Sequence, residues 1–128
     1  MNMIHGIHKI FFFFFFLISF QLESKALDGK SAIISILDKI TAKVNNFEIN
    51  VNESLVFETL EIKIFACYKT PPNEVPENYA LLRIWDEIED KKEKLVYQGW
   101  MISSSPSSSP FEHPIYDIWI NECKLNKY

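Results

Sequence analysis

Glycine is scarce in this chain: Gly6, Gly29 and Gly99 are the only three in 128 residues. A phosphate-cradling turn needs closely spaced glycines, and neither a G-x-x-x-x-G-K nor a G-x-G-x-x-G pattern occurs, which excludes nucleotide binding by such loops. Arginine is scarcer still, with Arg83 alone among thirteen basic residues, set against seventeen acidic ones. A net charge of -4 gives no counterion-release drive toward nucleic acid and is repelled by anionic headgroups, so neither is an expected partner. There is no C-x-x-C pair, and His113 is the one histidine beyond His5 and His8. That set is too poor for a zinc site, so neither a metal nor another cofactor is expected.

One thing is in excess, an apolar run near the start. Ile10 to Phe20 is apolar except for Ser19, is preceded by His5, His8 and Lys9 with no acid, and is followed by Ser24-Lys25-Ala26. The run is shorter than the roughly twenty residues a membrane-spanning helix takes. A charged start, a short apolar middle and small residues three and one before a break make a secretory signal peptide, with cleavage expected after Ala26. A retained N-terminal anchor is the alternative, and a buried strand a remoter one, because six consecutive phenylalanines have no one-sided period. The expected organisation is a signal peptide over 1–26 and one domain over 27–128, periplasmic or secreted, with no transmembrane span in the mature chain.

The only cysteines, Cys67 and Cys123, would meet an oxidising environment after export, and one disulfide is expected between them. Closing so long a loop removes denatured-chain entropy worth about 4 kcal/mol. Two free buried thiols or thiolate metal ligands are the competing readings.

Beyond Ser31 apolar residues recur at every second position. The start is open between Ile34 with Ile36 and Ile33 with Leu37; Val44, Phe47, Ile49 and Val51 then follow around the turn-prone Asn45-Asn46. The clearest strand is Leu60 to Tyr68, where Leu60, Ile62, Ile64, Ala66 and Tyr68 alternate with Glu61, Lys63, Phe65 and Cys67, which sets Cys67 opposite Leu60 and Ile62. Pro71, Pro72 and Pro76 deny donors to any ladder and make a stiff loop. Ala80 to Ile88 and Leu95 to Ile102 read as strands joined by the charged hairpin end 89–94, and Ile115 to Cys123 as the last. Asn52 to Glu58 is compatible with a short helix. Six or seven short strands with no convincing amphipathic helix specify an all-β fold, a small antiparallel sandwich or barrel with one disulfide.

Glu112-His113-Pro114 beside Asp117, with Ser103 to Ser105 upstream, supplies the residue types of a Ser, His and acid triad. No serine is flanked by glycines as in a nucleophile elbow, so the simpler reading is a structural His113 that bonds a backbone carbonyl or Asp117 and fixes the entry to the last strand. Glu74 with Glu77, and Glu87 with Glu89 and Asp90, sit in loops and hairpin ends where carboxylates are ordinarily solvated. Trp85, Trp100 and Trp119 could form an exposed strip for sugar or peptide, but tryptophan within an apolar strand is more often core.

Leu37-Asp38-Lys39-Ile40-Thr41, Cys67-Tyr68-Lys69 with Pro71-Pro72 and Pro76-Glu77, Gly99-Trp100-Met101 with Ser104-Ser105-Pro106, and Glu112-His113-Pro114 with Tyr116-Asp117, Trp119 and Cys123 together resemble an uncharacterised secreted alphaproteobacterial family, domain of unknown function 2155. The resemblance covers about Ser31 to Lys124 and implies a bacterial exported protein with no known activity to transfer. Three positions depart from the family pattern. Thr70 stands where arginine is usual, which argues against a basic contact there. Ala42 stands where glycine is usual, which argues against a positive φ after Thr41, and Ser107-Ser108-Ser109 replaces a stretch containing alanine and leucine.

The expectation is a disulfide-stapled envelope module that acts without catalysis, binding an envelope protein or glycan, with His113, Asp117, Trp100, Trp119, Pro71 and Pro72 as its candidate binding or structural residues. A small envelope hydrolase using His113 with Asp117 or Glu112 is the alternative.

Overall fold

Alternation along each strand sets which side chains face inward, and among the described residues three one-residue bulges, at Phe65, Val96 and Asn121, set where that alternation changes phase. The computed structural model describes residues 2–18, 25–88 and 92–125; the charged hairpin end at 89–91 and Ser24 of the expected processing site lie outside them. A helix α1 (Asn2–Ile18) precedes β1 (Leu27–Asp28), β2 (Ser31–Asp38), β3 (Lys43–Asn50), β4 (Ser54–Phe57), β5 (Leu60–Lys69), β6 (Asn78–Ile88), β7 (Lys92–Ile102) and β8 (Tyr116–Lys124). At 17 residues and about 1.5 Å per residue, α1 falls short of the hydrocarbon thickness. Among the described residues no helix is long and apolar enough to cross a membrane.

All strand pairs are antiparallel, and they form two sheets. Sheet A runs β1-β5-β6-β7, with β4 sharing the β5 edge with β1; sheet B runs β3-β2-β8. The sheets bury one core between them, with Leu60, Ile62, Ile64, Leu82 and Ile84 from sheet A against Ile34, Ile36, Ile118 and Ile120 from sheet B. The expected all-β antiparallel fold is therefore a sandwich, closed by a Cys67–Cys123 disulfide that joins β5 to β8 across the two sheets, with Cα atoms 5.8 Å apart. It has more strands than the periodicity indicates because β1 and β4 are too short to show a period.

Four local expectations are corrected. Asn45-Asn46 is not a turn; β3 pairs with β2 without interruption from Lys43 to Asn50. The chain reverses earlier, where Asp38 Oδ1 accepts hydrogen bonds from the backbone N–H of Ile40 (2.8 Å) and Thr41 (3.1 Å). These bonds, Thr41's foremost, hold the Asp38 carboxyl below its ordinary pKa. Ala42 closes that turn at φ 56, so the position keeps a left-handed backbone without glycine. The stretch compatible with a short helix is instead β4, entered and left through Asn52 at φ 68 and Glu58 at φ 51.

The fourth correction concerns the cysteines. On β5, Leu60, Ile62 and Ile64 face inward, and strict alternation would turn Cys67 outward. The β5–β6 register instead shifts between Ile64 and Ala66, leaving Phe65 as an extra residue, so Cys67 joins the inward set and Ala66 and Tyr68 leave it. β8 repeats the device: the register with β2 skips Asn121, and Cys123 faces inward together with Tyr116, Ile118 and Ile120. Each bulge lies two residues before its cysteine. Both cysteines are thereby buried, at 2% and 0% exposure.

Candidate functional site

His113 lies where the loop leaving β7 enters β8, at one end of the sandwich. Its Nδ1 accepts hydrogen bonds from the backbone N–H of Ile115 (3.1 Å) and Tyr116 (3.2 Å), and its Nε2 is 2.9 Å from Asp86 Oδ2 on β6. Two donors on Nδ1 place the ring proton on Nε2, where it is donated to Asp86. Side-chain exposure is 7% for His113 and 15% for Asp86. Burial works to raise the Asp86 pKa, yet hydrogen bonds from Thr59 and His113 outweigh it and lower it below the usual carboxylate range. The imidazole also stacks between Phe111 and Tyr116, with centroids 5.6 and 5.4 Å away. A chain of rings continues through Tyr97 on one side and Phe57 and Phe47 on the other.

The partners differ from those expected. Asp117 faces away and pairs with Lys39 at 3.1 Å, and Glu112 is exposed. Among the described residues no hydrogen bond joins a serine to His113. Ser103 and Ser104 instead serve Glu77: Ser103 Oγ donates to Oε1 at 2.7 Å, the Ser104 backbone N–H donates to the same oxygen at 3.0 Å, and the Ser104 hydroxyl donates to Oε2. Burial works to raise the Glu77 pKa, but these bonds and that of the Asn78 backbone N–H outweigh it and hold the carboxyl at about 2. Glu77 is a latch between two loops rather than a solvated charge. With both imidazole nitrogens engaged, His113 has no free base to offer a nucleophile.

Pro71 is half-buried and Pro72 exposed, in a loop clipped shut by Thr70. The Thr70 hydroxyl donates to the Val75 carbonyl (2.9 Å) and accepts from the Glu77 N–H (2.8 Å), while the Thr70 N–H donates to the Glu77 carbonyl (3.0 Å). Thr70 thus closes the loop.

All three tryptophans face outward, and none joins the buried core. Each sits out of phase with a buried neighbour: Trp85 beside Ile84, Trp100 beside Met101, Trp119 between Ile118 and Ile120. Trp119 lies on the outer face of sheet B opposite Ser35, and Trp100 on the outer face of sheet A, so the two are not brought together. Trp100 is 41% exposed and stacks on Tyr68, with centroids 5.7 Å apart at 29°. Tyr79 and Leu81 separate these two strands on the same face. Hydrogen-bonding residues that sequence reasoning missed, Asp86 and Glu77, gave no signal because their partners lie 27 or so positions away.

These features define a two-sheet β-sandwich with a trans-sheet disulfide and an aromatic outer face. The profile of a family described as an uncharacterized protein conserved in bacteria, domain of unknown function 2155, matches residues 32–123, and the chain belongs to that family. It is 39% identical over 90 residues to an uncharacterized protein of Rickettsia prowazekii (strain Madrid E), a match covering 70% of this chain and 58% of that one. The chain thus spans little more than half the length of that relative. No solved structure matches it.

Proposed function

We propose that this is an exported, periplasmic or cell-envelope module that binds a protein or glycan partner without catalysis, through the Trp100 end of the outer face of sheet A. The observation that carries this is the Trp100–Tyr68 pair, a large, rigid aromatic patch left open to solvent on a sheet whose other face forms the core. Aromatic anchors of this kind dominate binding energy where they become buried by a partner. Export is supported by the apolar N-terminal segment and by a disulfide that needs an oxidising compartment to persist. The internal use of His113, Asp86, Glu77, Ser103 and Ser104 favours binding over hydrolysis.

The test is Trp100→Ala. Because Trp100 is exposed, the variant is expected to keep the melting temperature within a few degrees while losing the loss-of-function complementation that the unaltered gene gives. Full complementation by Trp100→Ala, or complementation lost equally with Trp119→Ala, contradicts the proposal. Fractionation and N-terminal sequencing test the export half, with Leu27 expected as the first residue of the periplasmic or secreted form.

A further inference from the structure

The centre of the same face carries a charge pattern that the described residues leave uncompensated. The register sets Lys63 directly across from Arg83, and Glu87 directly across from Glu93. Like charges opposite one another on one face of an antiparallel pair destabilise it. Between these two rows lies a third, Glu61 across from Trp85. Lys63 and Arg83 both lean over the bulged Phe65, 5.3 and 5.1 Å from its centroid. Among the described residues no ion pair joins either cation to a carboxylate. Around Trp85 the surface dips into a cavity of about 80 Å³ walled by Glu61, Glu87 and Glu93.

We propose that this face is the interface of a symmetric dimer of this chain. The Lys63–Arg83 and Glu61–Trp85 rows are two residues apart, about 7 Å along the strands. A two-fold axis lying in the interface plane, perpendicular to the strands and midway between the rows, keeps each strand over its own copy and exchanges the rows. Lys63 then meets Glu61 of the second copy, and Arg83 enters the second copy's acidic cavity against Trp85. The same two contacts recur on the other side of the axis, as an isologous interface requires. Both needs of the face, an anion for the cations and a cation for the glutamates, are met by the face itself.

Four strands overlapping over about eight residues cover roughly 500 Å² per copy, or about 1,000 Å² in all. That is the lower limit for a specific interface, so a weak dimer is expected, with a dissociation constant of about 10–500 μM. Trp100, on edge strand β7, lies at the rim of the overlap. The inference goes beyond the proposed partner binding and stands or falls separately, since it needs only the purified protein.

The test is sedimentation equilibrium of the protein purified from the host envelope, from about 5 μM to about 1 mM. Self-association is expected, weakened about tenfold or more by Lys63→Glu and by Glu61→Lys, and returned to within about threefold of the original by the double swap, because repulsion across the axis becomes attraction again. If either single variant folds poorly, Arg83→Gln at its exposed position should still weaken association several-fold. A chain that stays monomeric at the highest concentration, association indifferent to these variants, or a double swap no better than its parents would each overturn the dimer.

Discussion

A Cβ built on Gly29 would stand 3.0 Å from the Cys67 carbonyl oxygen and 3.1 and 3.2 Å from the Cβ atoms of Cys123 and Cys67. Two of these neighbours belong to the disulfide and the third is backbone, so none can yield cheaply. The Gly29 N–H also donates to the Cys67 carbonyl at 2.7 Å, pulling the chain against the bridge. Gly29→Ala is therefore expected to destabilise the fold by about 1–3 kcal/mol in denaturant titration. Glu77 makes a second residue-scale prediction. Its folded pKa of about 2 lies below the ordinary 4.5, so its contribution is present above pH 4.5 and is lost as pH falls toward 2. The melting temperature of the unaltered chain should drop across that window, and that of Glu77→Gln should start lower and drop less. Equal pH profiles would contradict the latch. His113 was legible in the sequence as a residue fixing the entry to the last strand. Its acid was not, because nearness in sequence favoured Asp117 while the fold delivers Asp86 from another strand.

At the scale of elements, period-two alternation located β5, β6, β7 and β8, where long runs bury one face. It failed where a bulge adds a residue, since a bulge leaves no composition signal; Phe65 and Asn121 look like ordinary members of their strands. Those bulges decide whether the cysteines can meet. Deleting Phe65 removes the extra residue and leaves Cys67 two places after Ile64, inward by plain alternation, so mass measurement under non-reducing conditions should find the disulfide retained. Two free thiols in that variant would show that Phe65 is not an extra residue whose removal preserves the phase. The β2–β3 turn was misplaced for a related reason. Asn45-Asn46 has turn chemistry, but pairing along the whole of β2 outweighs it, and Asp38 supplies the turn bonds instead.

For the whole molecule, composition and alternation were enough for an antiparallel sandwich or barrel with one bridge, and left the choice between the two open. The arrangement of its outer faces was not legible, because facing requires knowing which sheet each strand joins. Trp100 and Trp119 are placed on different sheets only by the pairing of β7 with β6 and of β8 with β2. One outer surface thus gains the Trp100–Tyr68 patch, while the other carries the polar bridge in which the Ser35 hydroxyl donates to Asn46 (2.6 Å) and accepts from the Asn121 side-chain amide (2.5 Å). The asymmetry is the basis for assigning partner binding to sheet A. The most direct measurement replaces Trp100, and separately Trp119, with a photo-crosslinking amino acid in the native host. A discrete adduct heavier than the chain and different from its dimer is expected from position 100 and absent from position 119. An adduct at 119 alone, or the same products from both positions, would contradict the account.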